Sequence, residues 1–414
     1  MLFEYNLRKG AIFMHFFHKY KKLLAILLIF FISLPFPLVL SSNIVYADNG
    51  DSGHPSWLKG ILLILISFII NNFVEKNNTI DENNGGIIDD KPLLDDLEGA
   101  GKNLSREVLG YYVNWLSPNA SSFDALKTNH NQLDYIAPFW YTINPDGGIE
   151  ERYGGHQYEV DSFARTQGTE ILPLINNNQQ NNMILVDPAT RTKAVDNIVN
   201  LVEKYNYDGV NIDFEFIPPW TRNGYTRFIQ ELSKKLRERE KKITIAVFPK
   251  IDVSLELQGA YDYAALEPYI DRMVIMTYDK HWSTGPAGPI APIDWVEENI
   301  KYTLEYIPAE KLLLGIANYG YDWSSSLGKD ISAKEAKIIA RENGAEINWD
   351  DKSQSPYFYY QDSNNIKHEV WFESSAATAF KLQLVNKYNL QGIAIWRLGN
   401  GTDEFWNKIQ KHLR

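Results

Sequence analysis

The stretch Tyr207-Asp208-Gly209-Val210-Asn211-Ile212-Asp213-Phe214-Glu215-Phe216 constrains this chain more than any other. By the two-residue period of a strand, Val210, Ile212 and Phe214 share one face, and Asn211, Asp213 and Glu215 share the other. A strand with its polar side in water would show the same alternation. The order of elements on either side argues instead for a strand that delivers its acids to one place inside a fold.

From residue 104 onward, short apolar runs alternate with longer amphipathic ones, the pattern of a sheet built from strand–helix units. Residues 107–115, 135–140 and 170–175 read as the first three strands. The stretch above is the fourth, and 242–248, 272–278, 311–317 and 392–396 are the fifth to eighth. Asp187-Pro188 caps and opens a helix to about residue 205, with Ile198, Leu201 and Val202 on its buried stripe. Further helices are expected over 225–240, 293–306, 374–388 and 403–413. Residues 321–372 break the rhythm, with a short helix near 333–343 and strand-like pieces at 346–349, 357–360 and 368–372. They read as a small α+β insertion between strand seven and helix seven.

Eight strands with intervening helices over about 310 residues predict an α/β fold of the TIM (β/α)8 type, whose usual size is roughly 250 residues plus insertions. Active sites of such barrels lie where the strands end, which places Glu215 at the rim with Asp213 and Asn211 one and two pleats deeper. A carboxyl group taken out of water has a raised pKa, and a neighbouring anion raises it further, so Glu215 is the expected proton donor. Asp208 has the opposite parity and is assigned a structural role at the start of the strand.

Several chemistries find no support. A net charge of −11 disfavours nucleic acid, which calls for a clustered basic face. There is no cysteine, hence no disulfide, thiolate metal site or thiol nucleophile. The eight histidines lack the short helical spacing of a zinc hydrolase, and neither a phosphate loop nor a Gly-x-Ser-x-Gly elbow is present. No metal or cofactor is expected.

Residues 1–47 read as a signal peptide or signal anchor. His15, Lys19, Lys21 and Lys22 precede an apolar run over 23–40, and Val45-Tyr46-Ala47 offers a cleavage site. Met14 would give a shorter basic start than Met1. Residues 48–103 combine an apolar segment at 58–70, short against the roughly 20 residues of a spanning helix, with a tether rich in Asn, Asp and Gly. The folded part is expected over 104–414, in a secreted, envelope-located or membrane-anchored protein.

Residues 208–215 resemble the Asp-x-x-Asp-x-Asp-x-Glu signature of glycoside hydrolase family 18, the chitinase-like TIM barrels, with Asn211 in place of the second Asp. Met276-Thr277-Tyr278-Asp279 resembles that family's Met-x-Tyr-Asp element, and Trp396 its sugar-floor tryptophan. Gly110-Tyr111-Tyr112, Phe139-Trp140-Tyr141, the run from Ile316 to Trp323, and Ile395-Trp396-Arg397-Leu398-Gly399 resemble the bacterial spore-cortex-lytic and spore-germination N-acetylglucosaminidases. Members of that branch often carry peptidoglycan-binding repeats before the barrel, where this chain has its apolar segment and tether.

The resemblance implies retaining, substrate-assisted hydrolysis without a protein nucleophile. In that scheme Glu215 is the acid and base, Asp213 orients the substrate acetamido group and Tyr278 binds its carbonyl. Asn211, Trp396, Asp279, Tyr111, Trp140 and Tyr319 are the expected substrate contacts. Trp115, Trp282 and Trp323 are further candidate stacking platforms. Asn211 is expected to donate to Asp213 and hold it ionised. The partner would be a polysaccharide containing N-acetylglucosamine, peptidoglycan of the spore cortex or chitin, met by a monomeric enzyme. Alternatives are a chitinase, an enzyme acting on N-glycans and a non-catalytic sugar-binding barrel.

Overall fold

Hydrogen bonding between consecutive parallel strands, and finally between the last and the first, closes a ring in the computed structural model, which describes residues 106–114, 121–177, 182–324 and 327–414. The strands are β1 (Glu107–Tyr112), β2 (Tyr135–Ile143), β3 (Leu174–Asn177), β4 (Gly209–Asp213), β5 (Lys242–Val247), β6 (Arg272–Ile275), β7 (Leu312–Ala317) and β8 (Gly392–Trp396). Gly110 of β1 stands in register with Ile136 of β2 and Ile395 of β8, which completes the circle. The expected TIM barrel is present. Its third strand is divided: Glu170–Ile171 pairs with β2 first, and Pro173, which has no N–H to give, separates that pair from β3. Residues 1–103, with the expected signal and tether, and Trp115 lie outside the described residues.

Local rules account for the elements that surround the ring. Helix Pro188–Tyr205 starts where the Asp187 side chain accepts from Thr190 N at 2.8 Å, and ends at Asn206 in the left-handed region with φ 50°. Its Ile198 and Val202 are buried against the strands, as their spacing predicts. Helix Arg222–Arg237 packs Phe228, Ile229 and Leu232 into the same layer, where they meet Val210, Ile212 and Phe214 of the acidic stretch. A second apolar layer fills the barrel itself, with Leu109, Tyr111, Ala137, Leu174, Val274, Leu313 and Ala394. Strand parity therefore sends Asn211 and Asp213 inward.

Charges at the amino-terminal end of the barrel are matched. Glu107 of β1 reaches across to Arg272 of β6 in a two-pronged pair at 2.5 and 2.6 Å, and Glu170 pairs with Lys242. Asp134, Asp208 and Asp271, each just before an even-numbered strand, accept a backbone N–H from the neighbouring strand or its lead-in: Val108, Ile171 and Ile243, all at 2.8 Å. The structural role assigned to Asp208 is thus one of three equivalent clamps.

The insertion runs from Tyr319 to Phe372, two residues earlier than its sequence pattern suggests. It holds a five-stranded antiparallel sheet of Tyr319–Ser324, Leu327–Ser332, Asn348–Asp350, Ser355–Gln361 and Lys367–Phe372. Helix Ala333–Glu342, opened by a Ser332/Glu335 capping box, covers one face over Ile331, Phe358, Val370 and Phe372. Strand Leu327–Ser332 has no clear sequence signature, since Gly328, Lys329 and Asp330 interrupt its apolar positions. Among the described residues no helix is long and apolar enough to cross a membrane.

Directly after the insertion, Glu373 accepts from Lys381 at 2.7 Å, with both side chains almost fully buried, and so ties the sheet to helix Ser375–Lys387. Removing one partner leaves the other charge buried alone. Lys381→Met is expected to lower the unfolding free energy by about 3–5 kcal/mol in urea titration at pH 7, and combining it with Glu373→Gln should restore most of that. An unchanged midpoint for Lys381→Met would contradict the assignment.

Candidate active site

A cavity of about 250 Å³ opens at the carboxyl-terminal end of the barrel, lined by Tyr111, Asp213, Glu215, Phe248, Met276, Tyr278, Asp279 and Trp396. The ends of five strands, β1, β4, β5, β6 and β8, contribute to it. Six residues expected from the sequence meet here: Tyr111, Asp213, Glu215, Tyr278, Asp279 and Trp396. Phe248 and Met276 were not foreseen as lining residues.

Glu215 lies two residues beyond the end of β4, where chain position must be imposed from outside. Asn177 at the end of β3 does so with a reciprocal amide clamp, Nδ2 to Glu215 O at 2.9 Å and Glu215 N to Oδ1 at 2.8 Å. Asn176 donates to Asp213 O at 2.9 Å, and the Tyr261 hydroxyl to Phe214 O at 2.6 Å. These bonds go to main-chain atoms, so they position Glu215 without binding its carboxyl group, while the Asn176 side chain also draws the pKa of Asp213 down against burial. Asn176 and Asn177 escaped the sequence reading because an Asn- and Gln-rich run looks like a loop; their place at the end of a strand was the available signal.

Burial pushes both carboxyl groups up. Glu215 rises well above the ordinary carboxylate range through desolvation first, then through the negative charges of Asp213 and Asp279. Asp213 rises chiefly through desolvation, and its Oδ1 has no partner among the described residues. The two groups titrate as a pair that holds a proton toward neutral pH.

Asp279 forms a third corner. Held with φ 56° just past Tyr278, it accepts from the Tyr319 hydroxyl at 2.6 Å and the Tyr321 hydroxyl at 3.1 Å, both on its Oδ1. Burial raises its pKa to about 6 against the downward pull of the two hydroxyls. Tyr319 thus serves Asp279 and does not line the cavity. Tyr278 fits because position 315 is glycine: a Cβ there would lie 2.9 Å from its ring and 2.5 Å from Ile275 O. Trp396 meets Tyr111 edge-on with ring centroids 5.3 Å apart. It is followed by a cis peptide bond to Arg397, whose N and O are bound by the Asn318 side chain, both at 2.9 Å.

Three expected substrate contacts, Tyr319, Trp140 and Asn211, do not line the cavity. Trp140 does not reach the cavity: it is wholly buried in the strand–helix layer, against Tyr112, His156 and Tyr207. Strand alternation puts Ile136 and Trp140 in the outer layer and Ala137 and Phe139 toward the barrel interior; the slip in register between Phe139 and Tyr141 then sends Tyr141 outward as well. Asn211 does not donate to Asp213. Its amide goes to Thr244 Oγ1 at 2.7 Å, the residue directly opposite it on β5, whose hydroxyl passes on to Val210 O at 3.2 Å. Of the other tryptophans, Trp323 is buried beside Tyr319, and Trp282 is half exposed outside the cavity lining. Among the described residues no cluster is arranged to hold a metal ion.

The family model for glycosyl hydrolases family 18 matches residues 107–401. The chain belongs to this family. It is 31% identical over 291 residues to the cortical fragment-lytic enzyme of Bacillus subtilis, an alignment that covers 66% of each sequence. Among solved structures, the spore cortex-lytic enzyme SleL of Bacillus cereus superposes with a TM-score of 0.70 at 28% identity, covering 76% of both chains. A chitinase from Chromobacterium violaceum gives 0.70 at 28% identity over 74% of this chain and 99% of that one. This family 18 chain is a glycoside hydrolase.

The raised pKa of Asp279 has a stability consequence whose sign follows from linkage. Its folded form binds a proton more tightly than the unfolded chain does, with pKa about 6 against 3.8, so its contribution to stability is full below pH 3.8 and is lost as pH rises through about 6. Asp279→Asn keeps an acceptor for both tyrosines and removes the loss. The variant should melt higher than the parent at pH 8, with the difference vanishing near pH 4, in thermal scans across that range. A difference of the opposite sign would show that the charge is stabilised.

Proposed function

We propose that this glycoside hydrolase is a retaining, substrate-assisted β-N-acetylglucosaminidase of peptidoglycan, directed at spore cortex. The observation that carries the reading is the placement of the acids. Asp213 ends β4 and Glu215 follows two residues later on the same stretch of chain, whereas a two-carboxylate retaining enzyme holds its nucleophile across the sugar from its acid, the groups being about 5–5.5 Å apart. Asp279 has its Oδ1 engaged by two tyrosines.

The nucleophile is then the substrate's 2-acetamido oxygen. Glu215, held protonated by burial, gives its proton to the glycosidic oxygen as the bond to the anomeric carbon breaks. The acetamido oxygen closes on that carbon, with its N–H directed by Asp213 and its carbonyl held by Tyr278. Glu215, now ionised, takes a proton from water as the water adds to the anomeric carbon and reopens the ring. The cleaved sugar thus leaves with retained configuration, and Glu215 is reset.

Similarity to proteins named for lysis of spore cortex and cortical fragments supports the choice of peptidoglycan. The match to nearly the whole of a bacterial chitinase favours chitin as the second reading. The basic-then-apolar start of the sequence supports export to the cell envelope.

Purified protein should release fragments with reducing-end N-acetylglucosamine of β configuration from spore peptidoglycan, read by mass spectrometry and early-time NMR. Glu215→Gln should lower kcat by about 10²–10⁴-fold or more. De-N-acetylated glycan should resist cleavage. Reducing-end muramic acid, or products of inverted configuration, would overturn the proposal.

A further inference from the structure

A lysine stands one layer behind the acids, outside the cavity lining. Lys250 follows β5, and its ammonium donates to Gln258 O at 2.6 Å, Gln258 Oε1 at 2.8 Å and Tyr261 O at 2.6 Å. These acceptors account for its three N–H bonds, and none of them is a carboxylate. The Nζ also lies 4.9 Å from the centroid of the Tyr263 ring. A charged donor holds such neutral acceptors more firmly than a neutral one would.

The base of the side chain is anchored separately. Lys250 N and Ile251 N both donate to Asn299 Oδ1, at 2.9 and 2.7 Å, and Trp295 Nε1 donates to Ile251 O at 2.8 Å. Asn299 is wholly buried in helix Ile293–Leu304. The ammonium thus joins a fixed point on that helix to the turn 258–261. Asp262 beside that turn and Arg222 at the start of helix Arg222–Arg237 are charged groups that act on it, and they pair with each other at 2.9 Å. Asp252, on its own segment, is paired with Lys280. Tyr261 and Tyr263 are ionisable neighbours that burial keeps neutral by pushing their pKa values up.

Tyr261 carries the connection to the acid. It is wholly buried, and its hydroxyl donates to Phe214 O at 2.6 Å. Phe214 O and Glu215 N belong to one planar peptide group, whose N–H is held on the other side by Asn177 Oδ1 at 2.8 Å. Both sides of the peptide that presents Glu215 are therefore held, one from β3 and the other from the turn that Lys250 secures.

We infer that Lys250 is a positioning residue for the acid: its ammonium fixes the carbonyl of Tyr261, the Tyr261 hydroxyl fixes the Phe214–Glu215 peptide group, and loss of the ammonium's proton loosens Glu215. The inference rests on Glu215 being the acid of the proposed hydrolysis. A neutral amine has two N–H bonds and a lone pair, so one of the three acceptors would face a lone pair in place of a hydrogen. Burial lowers the Lys250 pKa to about 8, with Arg222 adding to the fall. The folded chain then holds this proton less tightly than the unfolded chain, with pKa about 8 against 10.5. Raising the pH between those values therefore favours folding at this group while it weakens activity. A lysine that served folding alone would show the two falling together.

The test uses the full chain and a fluorogenic disaccharide of N-acetylglucosamine. Lys250→Arg keeps a charge that does not titrate below about pH 12, and the ionisation of Glu215 cancels in the ratio of parent to variant kcat. That ratio should be constant from about pH 6 to pH 7 and fall by about tenfold or more by about pH 9.5, while the parent's melting temperature relative to the variant holds or rises. Lys250→Met and Tyr261→Phe should each lower kcat by about 10–100-fold at about pH 7, as a small misplacement of a reacting group does. Because the two act in series, the double variant should fall no further than the weaker single one. Should Lys250→Met fail to fold, the ratio with Lys250→Arg decides alone. A ratio that stays flat with pH, a parent that loses melting temperature as it loses kcat, or single effects that multiply in the double variant would each overturn the inference and leave the proposed chemistry standing. Absence of cleavage by the parent on every N-acetylglucosamine substrate overturns both.

Discussion

Three carboxyl groups, Asp213, Glu215 and Asp279, are drawn out of water around one cavity whose lining contains no lysine or arginine, and much of the surrounding structure answers to that constraint. A nearby cation would relieve the desolvation and also pull the acids down into their ordinary range, leaving no proton to give near neutral pH. The site is held by neutral partners instead. Asn176, Asn177 and Tyr261 bind the backbone of residues 213–215, and Tyr319 and Tyr321 bind Asp279. Dipoles of this kind set position while leaving most of the electrostatic tension in place.

The two ends of the barrel apply opposite rules. At the amino-terminal end the charges are matched in pairs, Glu107 with Arg272 and Glu170 with Lys242, and the three aspartate clamps stitch β1 to β2, β3 to β4 and β5 to β6. At the carboxyl-terminal end like charges face one another. The apolar layer between them, from Leu109 to Ala394, separates the two environments. Acids of the same type can therefore serve as fasteners at one end and as reactive groups at the other, according to whether a donor meets each oxygen.

Much of this was legible in the amino-acid sequence because it is written in period and position. The alternation from Val210 to Glu215 fixed which side chains point inward, and the strand ends at Tyr278 and Trp396 followed from the succession of elements. What stayed hidden depended on neighbours in space. Trp140 is the exception, since alternation from Ile136 already places it outside with Phe139 inside; the hidden part was the slip in register that sends Tyr141 outward too. Asn211 and Thr244 are 33 residues apart, and nothing short of knowing their cross-strand pairing shows that the amide is already taken. Asn176 and Asn177 look like loop composition until β3 is seen to end beneath them.

The insertion sheet begins with Tyr319 and Tyr321, which touch the electrostatics of the acid through Asp279. It is therefore more than a wall placed beside a finished barrel. A barrel shorn of these residues would keep its strands and its glutamate, yet Asp279 would lose both hydroxyl donors, and its proton affinity, together with that of Glu215, would be reset. Exchange of this sheet between homologous barrels would accordingly carry a pH setting along with a shape. In lineages that remodel the sheet, the operating acidity should change with it, because Tyr319 and Tyr321 belong to the sheet and bind Asp279.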